Sequence, residues 1–181
     1  FLSEEVELTT GLVINEIMHN PNSIADAAGE WIEITNISNN DISLNGLIIR
    51  DNGGEEHVIS DNNLVVFPSG FIVLGANDDL SLNGEVTVDY TYYDFTLSNL
   101  WDEVIIEHPS GIILDEVHYD NGATFPDPNG ASMALLDPEL DNSVGSNWTV
   151  STTPYGDGDL GTPGFPNFFS DIDVSVNSLE F

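Results

Sequence analysis

The stretch LVINEIMHNPNSIADAAGEWIEI (Leu12–Ile34) decides how the chain is read. Residues 12–18 and 31–35 are short, rich in β-branched and aromatic side chains, and bounded by turn-forming residues. This predicts two strands joined by a polar, proline-containing loop. Each carries glutamate among apolar neighbours: Glu16 in the first, Glu30 and Glu33 at and just inside the second. Successive strand side chains point to opposite faces. Leu12, Ile14, Glu16 and Met18 are therefore expected on one face and Val13, Asn15 and Ile17 on the other. In the second strand, Ile32 and Ile34 oppose Trp31, Glu33 and Thr35.

The same signal recurs downstream. Strands are predicted at residues 42–50 with a break at Gly46, and at 57–59, 64–67, 71–74, 86–92, 131–136 and 148–151. A hairpin is predicted from 104–107 and 112–119 around His108-Pro109-Ser110-Gly111. Residues 155–167, rich in Gly and Pro, read as irregular. No stretch sustains a helical period. Short strands at close spacing point to an all-β, antiparallel sandwich. Residues 1–10 read as a lead-in and 11–167 as one β-sandwich domain. Residues 168–181 read as a linker and the truncated start of a further module, because alternation at Ile172, Val174 and Val176 resumes after the Gly/Pro-rich break. With Phe1 at its start, the chain reads as a mature fragment or an excised piece.

Charge is the outlying property. Thirty-two acidic residues face a single basic one, Arg50, for a net charge of −31. Two carboxylates about 4 Å apart in water repel by ~1 kcal/mol, and salt confines that repulsion to ~8–10 Å. The fold is thus expected to gain from salt or bound divalent cations. A phosphate backbone or an anionic membrane would meet almost no cation, so direct nucleic-acid and membrane partners are not expected. Cysteine and lysine are absent, which removes thiolate nucleophiles, Schiff bases, Cys-type zinc sites and disulfides. The four histidines, His19, His57, His108 and His118, are scattered without a metal-ligand spacing.

Several short motifs occur in a fixed order: LVINEIM at 12–18, Asn20-Pro21, EWIEI at 30–34, Leu44-Asn45-Gly46, Pro68-Ser69-Gly70, Leu97-Ser98-Asn99, and Gly161-Thr162-Pro163-Gly164 followed by Asn167. Over about 11–167 this resembles the lamin-tail domain as it occurs in bacterial secreted proteins. The resemblance implies an immunoglobulin-like β-sandwich without catalytic activity. In animals such domains form the tails of nuclear intermediate filaments; in bacteria they accompany secreted nucleases, phosphatases and spore-coat-kinase-like proteins. Nothing in this chain reads as a coiled-coil rod, so filament assembly does not carry over. Residues 171–181 resemble the opening strand of tandem immunoglobulin-like modules of bacterial surface proteins.

Calcium is the ligand these residues point to, because Ca²⁺ takes six to eight oxygens from carboxylates, carbonyls and Asn side chains. Asp157 and Asp159 alternate with glycines that let carbonyls turn inward, and Asp137, Glu139, Asp141 and Asn142 form a second acidic loop. Glu16 and Glu30 lie beside apolar residues, where an unpaired carboxylate is costly. They are expected either to accept hydrogen bonds from loop backbone and Ser/Thr, or to share a metal with Asp26 or Asp157. The metal set is therefore Glu16, Glu30, Asp157 and Asp159, with calcium as the cofactor. The expected function is a non-catalytic structural or interaction module of a secreted or cell-surface multidomain bacterial protein. Its partners would be neighbouring domains, another surface protein or a polysaccharide. The alternative is a carbohydrate- or substrate-targeting accessory module of a secreted hydrolase, motivated by Tyr90, Tyr92, Tyr93, Phe95 and Trp101.

Overall fold

The computed structural model describes residues 11–156 and 158–168. The lead-in, Asp157 and residues 169–181 of the C-terminal segment lie outside them. In chain order the strands are β1 (Leu12–Met18), β2 (Trp31–Asn36), β3 (Ile42–Ser43), β4 (Ile48–Arg50), β5 (Glu56–Val58), β6 (Val65–Val66) and β7 (Phe71–Gly75). They continue as β8 (Tyr90–Thr91), β9 (Trp101–His108), β10 (Ile112–Asp120), β11 (Met133–Leu135), β12 (Trp148–Val150), β13 (Pro154–Tyr155) and β14 (Asp159–Leu160).

One sheet runs β12-β11-β1-β2-β7-β8 and faces a second of order β10-β9-β4-β5; β3-β6 and β13-β14 form two small ladders. Among the described residues the strands pair antiparallel except for the parallel contact of β7 with β8, and a lone parallel bridge joins Ala131 to Leu160. Ile14, Ile17, Ile32, Ile34, Leu74 and Met133 of the larger sheet meet Ile49, Val104, Ile106 and Val117 of the smaller one in a single core. At about 25 cal/mol per Å² of apolar surface removed from water, this layer is the main source of stability. The larger sheet also has a second apolar cluster, in which Met18, Trp31 and Val73 are covered by Val86. Val88 and Tyr155 pack against that cluster.

The structure changes several sequence expectations. Residues 42–50 do not form one bent strand: β3 and β4 belong to different ladders. The alternating stretch 86–92 yields only β8, because Val86 and Val88 lie across the outside of the larger sheet. The polar loop after β1 holds a one-turn helix, Asp26–Gly29. Residues 155–167 are not wholly irregular, since Tyr155 pairs with Asp159.

In β1 the strict alternation fails. The β1–β2 register shifts between Ile14 and Glu16, a β-bulge. Ile14 and Ile17 both enter the main core, whereas Asn15, Glu16 and Met18 engage groups on the other side. Ile14 and Glu16 therefore occupy opposite faces, contrary to the two-residue period. Where β11 no longer covers β1, Asp115 of β10 substitutes for a strand. Its carboxylate accepts the Ile14 N–H at 2.6 Å and the Asn142 side-chain amide at 2.7 Å.

Candidate functional site

The densest polar network lies on the outer side of β1 and β2, beneath a strap formed by residues 161–168. Glu16 and Glu33 are register partners on adjacent strands, and both are fully buried. Glu16 accepts hydrogen bonds from the hydroxyls of Ser132 and Ser151, the latter at 2.9 Å. It also accepts the Thr162 N–H at 3.0 Å and the Thr162 hydroxyl at 2.8 Å. Glu33 accepts the Asn15 side-chain amide at 2.7 Å and the Gly164 N–H at 2.6 Å. Asn167 closes the strap by donating to the carbonyls of Asn15 at 3.0 Å and Leu135 at 2.9 Å. The Gly-Thr-Pro-Gly…Asn motif is thus the lid of the two glutamates, joined to them through its own N–H and hydroxyl groups.

Two buried carboxylates so close and without a cation cannot both ionise cheaply. The Glu33 carboxyl is pushed up to about 9, first by burial and then by the charge of Glu16. Burial raises Glu16 as well, against the lowering effect of its hydroxyl and N–H donors. The single arginine lends no charge here, because Arg50 is paired with Glu107 at 2.7 Å.

Glu30 belongs to a different network. It is buried just after the one-turn helix and accepts the Leu97 N–H at 3.1 Å. Its carboxyl is pushed up to about 8, first by burial, opposed by Leu97 and reinforced by the charges of Asp26, Asp102 and Glu55. Asp26 itself accepts the Asn99 amide at 2.9 Å. The Tyr92 phenol, which feels the Glu30 charge, is buried with no partner for its hydroxyl among the described residues. The Asp159 carboxylate staples a third place, accepting the N–H groups of Asn22 and Ser23 at 3.1–3.2 Å.

Among the described residues Glu16, Glu30 and Asp159 accept from different donors, and Asp157 lies outside those residues. Among the described residues no three His, Asp or Glu side chains gather closely enough to hold a metal ion. The second acidic loop is likewise engaged. Asp137 and Asp141 accept N–H groups two residues on, and Asn142 holds Asp115 and accepts the Trp148 indole at its carbonyl. Of the aromatic group, Tyr92 and Phe95 pack edge-to-face at 5.5 Å inside the core, and Tyr90 bonds His57 at 2.9 Å. Tyr93 and Trp101, each 65% exposed, reach the surface, while Tyr90 is half-buried.

Glu16 and Glu30 each accept hydrogen bonds from loop backbone or Ser/Thr hydroxyls, the first of the two expectations, but they lie in separate networks, and the register partner of Glu16 is Glu33. Glu33, Asn15, Ser132, Ser151, Thr162 and Asn167 were missed as members of one network. Their joint signal was present only as two separate motifs, EWIEI and GTPG…N, at opposite ends of the domain. Nothing local connects them.

A two-sheet sandwich whose buried carboxylates are met by its own backbone and hydroxyl donors is an immunoglobulin-like structural domain. The chain belongs to the lamin tail domain family, whose Lamin Tail Domain description matches residues 6–122. Neither a search of curated proteins nor one of solved structures finds a match. The matched span ends just after β10. Yet β11 pairs with β1, and the strap caps Glu16 and Glu33, so residues beyond the match complete the larger sheet.

Proposed function

We propose that this chain is a non-catalytic structural and interaction module of a secreted or cell-surface multidomain bacterial protein. One observation carries the reading: the buried glutamates meet the protein's own N–H and hydroxyl groups instead of converging on an open cavity. An acid–base pair needs a substrate cleft between its members, and here a strap fills that position. The net charge of −31 suits an exterior in contact with salt. It favours neighbouring domains, a surface protein or a polysaccharide over nucleic acid or an anionic membrane as partner.

Fractionation of the producing cells tests the setting: recovery in the culture fluid or cell envelope is expected, and recovery in the cytosol alone would overturn it. Nuclease, phosphatase and glycosidase assays test the absence of catalysis. Turnover lost in E30Q while the fold is retained would overturn that part.

Calcium enters this reading as a stabiliser of the acidic surface as a whole, since Glu16, Glu30 and Asp159 are buried in three separate networks. Saturation at 100 times Kd would add ~2.7 kcal/mol. Melting in EDTA, in 10 mM CaCl₂ and in NaCl of matched ionic strength tests it. No shift beyond the matched salt would sink it.

The second reading is a carbohydrate-targeting accessory module. A cleft apart from the Tyr90–Trp101 region favours it.

A further inference from the structure

Two segments cover the outer face of the larger sheet. One is residues 84–88, seated through Val86 and Val88 on Met18, Trp31 and Val73. The other runs from β13 into the strap. Between them lies a half-open cleft of about 310 Å³, lined by Glu85, Thr87, Thr153, Tyr155, Thr162 and Phe165, among others.

The cleft is built. The Tyr155 hydroxyl accepts the Trp31 indole N–H at 3.2 Å, and the two rings meet edge-on at 6.1 Å, so Tyr155 is held in place. A Cβ on Gly161 would stand 3.0 Å from both rings, and one on Gly156 would run into the Gly84 carbonyl. Glycine at both positions lets the walls close. Thr162 is anchored through Glu16. Against this rigid frame two features are costly for the fold alone. Phe165 is 63% exposed. Glu85 holds φ at +65°, a left-handed conformation that strains a side-chain-bearing residue. Such strain collects at binding sites.

We infer that this cleft binds a neutral carbohydrate, with the rings of Tyr155 and Phe165 taking the apolar face of a sugar and the exposed hydroxyls of Thr87 and Thr153 with Glu85 taking its hydroxyl groups. The chemistry selects this class. A chain of charge −31 repels anionic glycans. Threonine hydroxyls and a carboxylate suit a ligand carrying many hydroxyls, and would find few donors on a proline-rich segment. The volume lies at the lower end of the ~300–1,000 Å³ range of small-ligand sites, which fits a short stretch of sugar. This inference rests on the accessory-module reading and gives it a ligand class and a site.

Affinity electrophoresis of the full chain through gels containing neutral β-glucan, xylan, mannan or starch tests it. Retardation by at least one polysaccharide is expected. F165A, altered at an exposed position, should lose that retardation at least tenfold with an unchanged melting temperature. E85G should melt higher, because the backbone strain is relieved, yet bind more weakly; a purely structural residue would show only the first effect. W101A should bind like the parent. No retardation of the folded protein by any of the four, parent-like binding by F165A, loss of binding in W101A, or displacement by a proline-rich peptide would overturn the site. None of these outcomes touches the cell-fractionation test, so the site and the module reading fail separately.

Discussion

Glu16 and Glu30 are the same residue type, both buried in one small domain, and they end in opposite circumstances. Glu16 is met by two serine hydroxyls, a threonine hydroxyl and a backbone N–H. Glu30 is met by the Leu97 N–H, with other carboxylates nearby and a Tyr92 hydroxyl that bonds nothing described. What a buried carboxylate does for a fold depends on the number of donors aimed at it. With four it ties segments together, here β1, the residues just before β11 and just after β12, and the strap. With one, it leaves much of its lost hydration uncompensated.

The largest expected effect comes from removing the well-served member. E16A leaves the donors of Ser132, Ser151 and Thr162 buried without an acceptor, at ~1–3 kcal/mol for each group that water cannot reach. A total loss of about 3–5 kcal/mol is expected. That is a fall of ~10 °C in Tm for a domain of this size, read by thermal denaturation. A loss under 1 kcal/mol would break the contrast.

The pH response comes next. Glu16, Glu30 and Glu33 all have folded-state values raised above the ordinary glutamate value of 4.5, with Glu30 at about 8 and Glu33 at about 9. Between about pH 4.5 and 9 the native state holds protons that the unfolded chain has released. Stability from these groups is therefore full below pH 4.5 and is lost as pH rises through 8 to 9. Chemical denaturation at pH 6, 7.5 and 9 should show a fall of ~1 kcal/mol or more per pH unit. E33Q should flatten the slope.

T162V sharpens the comparison from the strap side. It deletes one hydroxyl donor to Glu16 and leaves the N–H bond in place. It should cost about 1–2 kcal/mol and add to E16A by much less than that, since both act in one network. The smallest effect belongs to E30Q, which keeps an acceptor for Leu97 and removes the ionisable group. Its stability should stay within ~1 kcal/mol of the parent at pH 4.5 and exceed it increasingly as pH rises toward 9. A large loss at pH 7 would place Glu30 with Glu16 after all.

Much of the strand order was legible locally. Leu12–Met18, the second strand and the hairpin of β9 and β10 appear where β-branched runs meet turn residues, because those signals act over a few residues. Residues 86–92 were misleading for the same reason. Alternation marks a surface with two unlike faces, and Val86 and Val88 satisfy it by covering a sheet instead of joining one.

The sequence by itself determined the β class, the lamin-tail motifs, the exclusion of thiol and amine chemistry, and the charge of −31. These follow from residue identity and short-range period. Only the tertiary structure decided that Glu16 answers to Glu33 and that Thr162 reaches Glu16 across 146 positions. A single-residue bulge reverses which face a carboxylate points to, and bulges carry little composition of their own. Donors for a buried acid are recruited by proximity in space, so no period along the chain announces them.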